Sequence, residues 1–193
     1  GLLKLNLKGN DINRILLNDE IRYVNGIAQD ADGYIWLVTE KDGIYKSIEN
    51  KIFPNLRFSL WEKSNKNNHY CLHKDRNGGL WFGDDKGNIL WVNPTTGETV
   101  IHQLPPETAD SAVTASILKL YLNSQNHLWI ATEKGIMVYN HQTHECIAAQ
   151  PYTKEFKKIT AICEDGDGTM WLGTEKGIHR ALSLIHISEP TRL

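Results

Sequence analysis

Excess basic charge is absent from this 193-residue sequence: Lys and Arg number 21 against 23 Asp and Glu, for a formal net charge of -2. A nucleic-acid footprint needs a clustered basic face, so nucleic acid is not expected as a partner. Long apolar runs are missing as well, and none approaches the ~18–20 residues that span a bilayer. Cysteine is scarce. Cys71, Cys146 and Cys163 are odd in number and widely spaced, which fits neither a disulfide framework nor a zinc signature, so they read as small core residues. No Gly-x-Ser-x-Gly, phosphate loop or dinucleotide fingerprint occurs, and no cofactor is implied. The chain opens on Gly1 with no charged-then-apolar leader ahead of it, so a signal peptide is unobservable.

What the chain does have is a repeat. Trp36, Trp81, Trp129 and Trp171 are separated by 45, 48 and 42 residues. Each sits in the same phrase: Asp32-Gly33-Tyr34-Ile35-Trp36-Leu37, Asn77-Gly78-Gly79-Leu80-Trp81-Phe82, Gln125-Asn126-His127-Leu128-Trp129-Ile130 and Asp167-Gly168-Thr169-Met170-Trp171-Leu172. A second glycine follows each Trp (Gly43, Gly87, Gly135, Gly177), with an aliphatic residue just after it (Ile44, Ile89, Ile136, Ile178).

One unit can be read physically. An apolar or alternating stretch leads into an Asx-Gly turn, where Asn, Asp and Gly tolerate the left-handed backbone that tight hairpins need. A strand of aromatic and β-branched residues follows, such as Tyr34 to Thr39. A second tight turn ends at the later glycine, and a third strand and a more variable fourth segment complete ~45 residues. The Trp strand is apolar on both faces, Ile35 and Leu37 on one and Trp36 and Val38 on the other. A strand sandwiched between two neighbours reads this way. The expectation is an all-β chain: a β-propeller fragment of about four to five four-stranded antiparallel blades, with the ring incomplete. The four tryptophans are then plugs between blades.

Gly1-Leu2-Leu3-Lys4-Leu5 matches Gly43-Ile44-Tyr45-Lys46-Ser47 in register, so the chain is expected to begin in mid-blade. Residues 1–23 are then the outer half of a preceding blade, 24–68, 69–114 and 115–158 are full blades, and 159–181 start a further one. Residues 182–193 match the end of no earlier unit, and 182–192 look like the translation of a transposon-derived sequencing adapter, a non-native tail.

The stretch Glu164-Asp165-Gly166-Asp167-Gly168-Thr169-Met170-Trp171-Leu172-Gly173-Thr174-Glu175-Lys176-Gly177-Ile178 resembles the two-component regulator propeller repeat. Asp30 to Ile44 is nearly as good. Asp75 to Ile89 carries Asp84 in place of the usual Thr, and Asn123 to Ile136 has lost the acidic residues of its first turn. The resemblance implies the periplasmic sensor part of an inner-membrane, often hybrid, histidine kinase that responds to glycan fragments. It implies further blades, downstream domains of the same chain, and a homodimer in the intact receptor. A protein-binding scaffold propeller and a carbohydrate-active propeller enzyme are the alternatives.

Catalysis by the turn carboxylates is not expected. Acidic or amide residues sit six and four places before each Trp, unlike an Asp box, and a catalytic acid is needed once rather than in every blade. Two carboxylates per turn also fall short of the six to eight oxygens that calcium takes. Asx-turn hydrogen bonding explains them. His69 and His73 are read as sharing one face of a strand, and His141 and His144 as flanking a turn. Neither pair has a third ligand nearby, and no metal is expected.

In a propeller the first strand of each blade lines the centre. The Asp-x-Asp-Gly turns then fall on one face, and the Thr-Glu-Lys-Gly turns on the other, beside the segments leading into each first strand. That second face is expected to bind a small carbohydrate through Arg22, Tyr23, Asn68, His69, Tyr70 and Lys158, with Lys41, Lys134 and Lys176 on the rim. Amides and charges hydrogen-bond hydroxyls directionally, and Tyr offers a flat surface to a sugar ring.

Overall fold

A computed structural model describes residues 2–6, 11–15, 17, 21–50, 56–63, 69–104, 116–140, 142–143, 145–151 and 158–181. The 182–193 tail, with its adapter-like segment, lies outside them, as do Asn68, His141 and His144. Every regular element described is a strand. A short antiparallel pair, β1 (Leu2–Asn6) and β2 (Asp11–Ile15), comes first. Blade one contains β3 (Val24–Gln29), β4 (Ile35–Thr39), β5 (Gly43–Ser47) and β6 (Phe58–Lys63). Blade two contains β7 (His69–Lys74), β8 (Leu80–Asp84), β9 (Asn88–Val92) and β10 (Thr99–Gln103). Blade three contains β11 (Ile117–Leu122), β12 (His127–Thr132), β13 (Gly135–Asn140) and β14 (Glu145–Pro151). Blade four shows three strands, β15 (Ile159–Glu164), β16 (Met170–Thr174) and β17 (Gly177–Ala181). Within each blade the strands pair in sequence order, antiparallel throughout.

The hairpins form where the turn chemistry requires. Gly33, Gly78 and Gly168 hold φ of 91°, 87° and 81°, and Asn126 holds 60° at the matching place in the third unit. Asn takes the left-handed region more readily than most side chains do.

The blades stack through their first strands: β3 lies on β7, β7 on β11 and β11 on β15. Ile35 and Leu37 bury with Tyr45 and Phe58 on one face of blade one. Trp36, Val38 and Ile44 turn the other way, onto Leu80, Phe82 and Val92 of blade two. Trp81 packs likewise with Ile117, Leu128 and Ile130 of blade three, and Trp129 with Ile159, Met170 and Leu172 of blade four. Each of the three therefore plugs the seam to the next blade. Gly83 lets two blades approach closely, since a Cβ there would lie 2.5 Å from Ile117 Cγ2 and 2.8 Å from Cys71 Sγ.

A further regularity is absent from the sequence reading. All four first strands carry an irregularity in the same place: the register with the second strand shifts between Val24 and Gly26, His69 and Cys71, Ile117 and Lys119, and Ile159 and Ala161. The extra residues are Asn25, Tyr70, Leu118 and Thr160. Such bulges break the strict alternation of side chains and re-aim the strand. The shift at Tyr70 puts a break in register between His69 and His73 in β7, and the His69 side chain lies outside the described residues.

Candidate ligand face and an opposite cavity

The two ends of the blades are built by different turns. At the first-turn end, Asp30 Oδ1 accepts the backbone N–H of Asp32 (3.1 Å) and Tyr34 (2.8 Å), while Oδ2 accepts the Trp36 indole N–H at 2.8 Å. Asp75 does the same for Asn77, Gly79 and Trp81 (2.9, 2.8 and 2.8 Å), and Asp165 for Asp167, Thr169 and Trp171 (3.0, 2.9 and 2.7 Å). These carboxylates shape the turn, as expected, and also pin the tryptophan, which spacing alone did not reveal. The Trp171 indole, helped by the Thr169 amide, holds the Asp165 carboxyl below its ordinary range. In blade three Asn123 closes the turn through Gln125 and His127 (3.1 and 2.8 Å), yet the buried Trp129 Nε1 has no hydrogen-bond partner. An amide can present an N–H where the carboxylate presented an acceptor. Among the described residues no His, Cys, Asp and Glu cluster could hold a metal ion.

At the second-turn end, Thr39 Oγ1 accepts the Asp42 and Gly43 amides (3.1 and 2.9 Å) and donates to the Gly43 carbonyl (2.9 Å). Thr132 and Thr174 close their turns in the same manner. Asp84 substitutes by accepting from Lys86 N (2.9 Å), Asn88 N (2.8 Å) and Asn88 Nδ2 (2.7 Å). The turn backbone is thereby satisfied from within, and Lys41, Lys134 and Lys176 stand exposed.

The lead-in segments lie against these same turns: the Tyr23 carbonyl accepts from Glu40 N (3.1 Å) and the Ser116 carbonyl from Glu133 N (3.2 Å). His69 pairs with Asp84, and Ile159, next to Lys158, pairs with Thr174. Arg22, Tyr23 and Lys158 are exposed; His69 and Tyr70 lie in β7 at this end, their side chains outside the described residues. Tyr23 holds φ of 49° while 69% exposed. A bulky residue in the left-handed region is an outlier, and such strain concentrates at functional positions.

The first-turn end carries a feature that the sequence reading missed. A cavity of about 370 Å³ opens between blades two and three, walled by Asp75, Trp81, Trp91 and His102 on one side and by Asn126 and Gln142 on the other. The available signal was a double departure from the repeat: Gly79 stands where the other units have Tyr34, His127 and Thr169, and Trp91 where they have Lys46, Val138 and Arg180. Blades are also tied at this end by polar contacts. Arg76 pairs with Glu164 at 2.9 Å, and Glu164 accepts from the Ser124 amide.

Residues 16–41 and 155–176 match a known family, described as the two component regulator propeller. Those two stretches are what the chain has in common with the two component regulator propeller repeat. The two matched regulator propeller stretches contain the Asp30/Trp36 and Asp165/Trp171 turns; the units with Asp84 and with Asn123 are the ones left unmatched. Among solved structures, virginiamycin B lyase from Staphylococcus aureus superposes with a TM-score of 0.73 at 16% identity, over 97% of this chain and 61% of the lyase. The extracellular domain assigned to the BT4673 hybrid two component system of B. thetaiotaomicron gives 0.72 at 18% identity, over 98% of this chain and 25% of that one. The corresponding BT3049 domain gives 0.64 at 18%, over 93% and 24%. These likenesses establish the propeller fold, of which the chain spans about three fifths of the lyase's length and a quarter of the two extracellular domains'. No curated protein sequence matches the chain.

Proposed function

We propose that this regulator propeller is part of the extracytoplasmic ligand-sensing region of a two-component, hybrid-type histidine kinase held in the inner membrane, that it responds to a small glycan, and that it performs no catalysis itself. The supporting observation is the regulator propeller match in blades one and four, on a fold shared with extracellular domains assigned to such systems. In this reading the second-turn end is the ligand face. Arg22, Tyr23, Asn68, His69, Tyr70 and Lys158 contact the sugar, and Lys41, Lys134 and Lys176 rim it. The strained, exposed Tyr23 and the bulge at Tyr70 favour this end over the first-turn end of blades one and four, where Asp30 and Asp165 bond backbone and indole. Further blades, kinase and membrane segments, and a second copy of the receptor are the expected partners.

The test is titration of the intact receptor's propeller against a panel of defined oligosaccharides, followed by calorimetry on any that bind. Tyr70→Ala and Lys158→Ala should each weaken binding by about tenfold or more while the domain stays folded. Unchanged affinity in both, with loss on changing the Asp165/Asp167 turn of a still-folded domain, would put the site at the other end. Turnover of any oligosaccharide would favour an enzyme instead.

A further inference from the structure

The cavity between blades two and three is best understood by comparison with the same position in blade one. There, Lys46 lies opposite Trp36 in the sheet, and its ammonium sits 3.6 Å from Asp30 Oδ2. It also lies 4.5 Å from the centre of the Tyr34 ring and 4.8 Å from that of Trp36. A carboxylate plus two aromatic rings is a complete ammonium site, and in blade one a tethered lysine fills it. Blade four keeps the same charge logic, with Arg180 opposite Trp171 and its charge acting on Asp165. Blade three has dropped both halves together, with Asn123 for the acid and Val138 for the cation.

Blade two alone keeps the acid and the tryptophan but replaces the cation. Asp75 still holds its turn and the Trp81 indole, while the residue opposite Trp81 is Trp91. Gly79 makes this possible: a Cβ there would lie 2.4 Å from Trp91 Nε1 and 2.6 Å from Asp75 Oδ2, so the Trp91 ring takes the space that Tyr34 fills in blade one. Among the described residues no lysine or arginine is paired with Asp75. The result is a carboxylate with two indoles around an open volume, faced across the seam by the amides of Asn126 and Gln142.

We propose that this cavity binds an amino sugar with a free amine, its ammonium taking the place that Lys46 Nζ holds in blade one. Asp75 supplies the countercharge and Trp81 and Trp91 the aromatic walls. Asn126 and Gln142 exchange hydrogen bonds with the ring hydroxyls, since amides both donate and accept. The volume sits at the small end of the range for ligand pockets, suited to a single ring. The site lies at the opposite end from the proposed glycan face and does not depend on it.

The intact receptor's propeller is titrated with glucosamine, N-acetylglucosamine, glucose and propylammonium, following the indole N–H resonances of Trp81 and Trp91. Glucosamine should shift both saturably, and the other three should bind about tenfold weaker or worse. Trp91→Lys, which restores the tethered cation of blade one, should abolish the response in a protein that keeps its fold. Gln142→Ala, an exposed change outside the core, should weaken it severalfold. Equal affinity for glucosamine and its N-acetyl derivative would overturn the ammonium assignment, and equal affinity for propylammonium the sugar assignment. An undiminished response in both variants would overturn the location. None of these outcomes bears on Tyr70 or Lys158.

Discussion

At the scale of single residues, the repeat invests in one hydrogen bond, from indole to carboxylate, and then omits it once. Trp81 and Trp129 are 2% and 3% exposed, but only Trp81 has an acid to bond. Removing the N–H while keeping a ring should therefore cost more at position 81. Trp81→Phe is expected to exceed Trp129→Phe by about 1–3 kcal/mol in denaturant unfolding, because it leaves a buried carboxylate oxygen short of a donor. Equal losses would show that the indole bond contributes nothing. His73 gives a pH signature. Burial pushes its imidazole down to about 4 from 6.5, against the opposing pull of Asp75. The unfolded chain then binds the proton first, so His73 adds stability above about pH 6.5 that is lost progressively down to about pH 4. Asp165, held low by Trp171, loses its contribution only below the ordinary carboxylate value of 3.8, so the two windows separate. Urea midpoints at pH 7 and pH 5 should differ less in His73→Phe than in the parent; an unchanged difference would mean that His73 is not the group responsible.

At the scale of strands and seams, the unit of construction is a strand buried on both faces. Trp129→Ala should open a cavity against Ile159, Met170 and Leu172 and cost about 3–5 kcal/mol. A loss below about 1 kcal/mol would contradict the inter-blade placement. Much of this was legible in the sequence. Four tryptophans in one phrase, each with apolar neighbours at both parities, left little choice but a strand sandwiched between blades. The turns were legible too, since Asx-Gly has few alternatives. The bulges at Asn25, Tyr70, Leu118 and Thr160 were not, because the four positions have no residue type in common. The indole-to-Asp bond was hidden for another reason: a spacing of six spans a turn, and only the folded hairpin shows that the two side chains meet. The cavity required reading two departures together, Gly79 and Trp91, which lie in different strands.

At the scale of the whole molecule, blades one to three are covered on successive faces, whereas Ile178 in blade four is 48% exposed although its counterparts Ile44, Ile89 and Ile136 are at most 3%. Open apolar faces and strand edges invite association. Residues 1–181 made alone should therefore self-associate in size-exclusion chromatography with light scattering, and a monodisperse monomer that melts cooperatively would count against this. In the proposed function the two ends of the blades do different work: in blades one and four the first-turn end locks structure, and the second-turn end meets the glycan. Amide hydrogen exchange of the intact receptor's propeller, with and without the oligosaccharide that the panel selects, compares them directly. Added protection is predicted at the lead-in and bulge segments, residues 22–26, 69–71 and 158–161, with little change at the turns of residues 30–34 and 165–169. Protection confined to those Asp-containing turns would contradict the account.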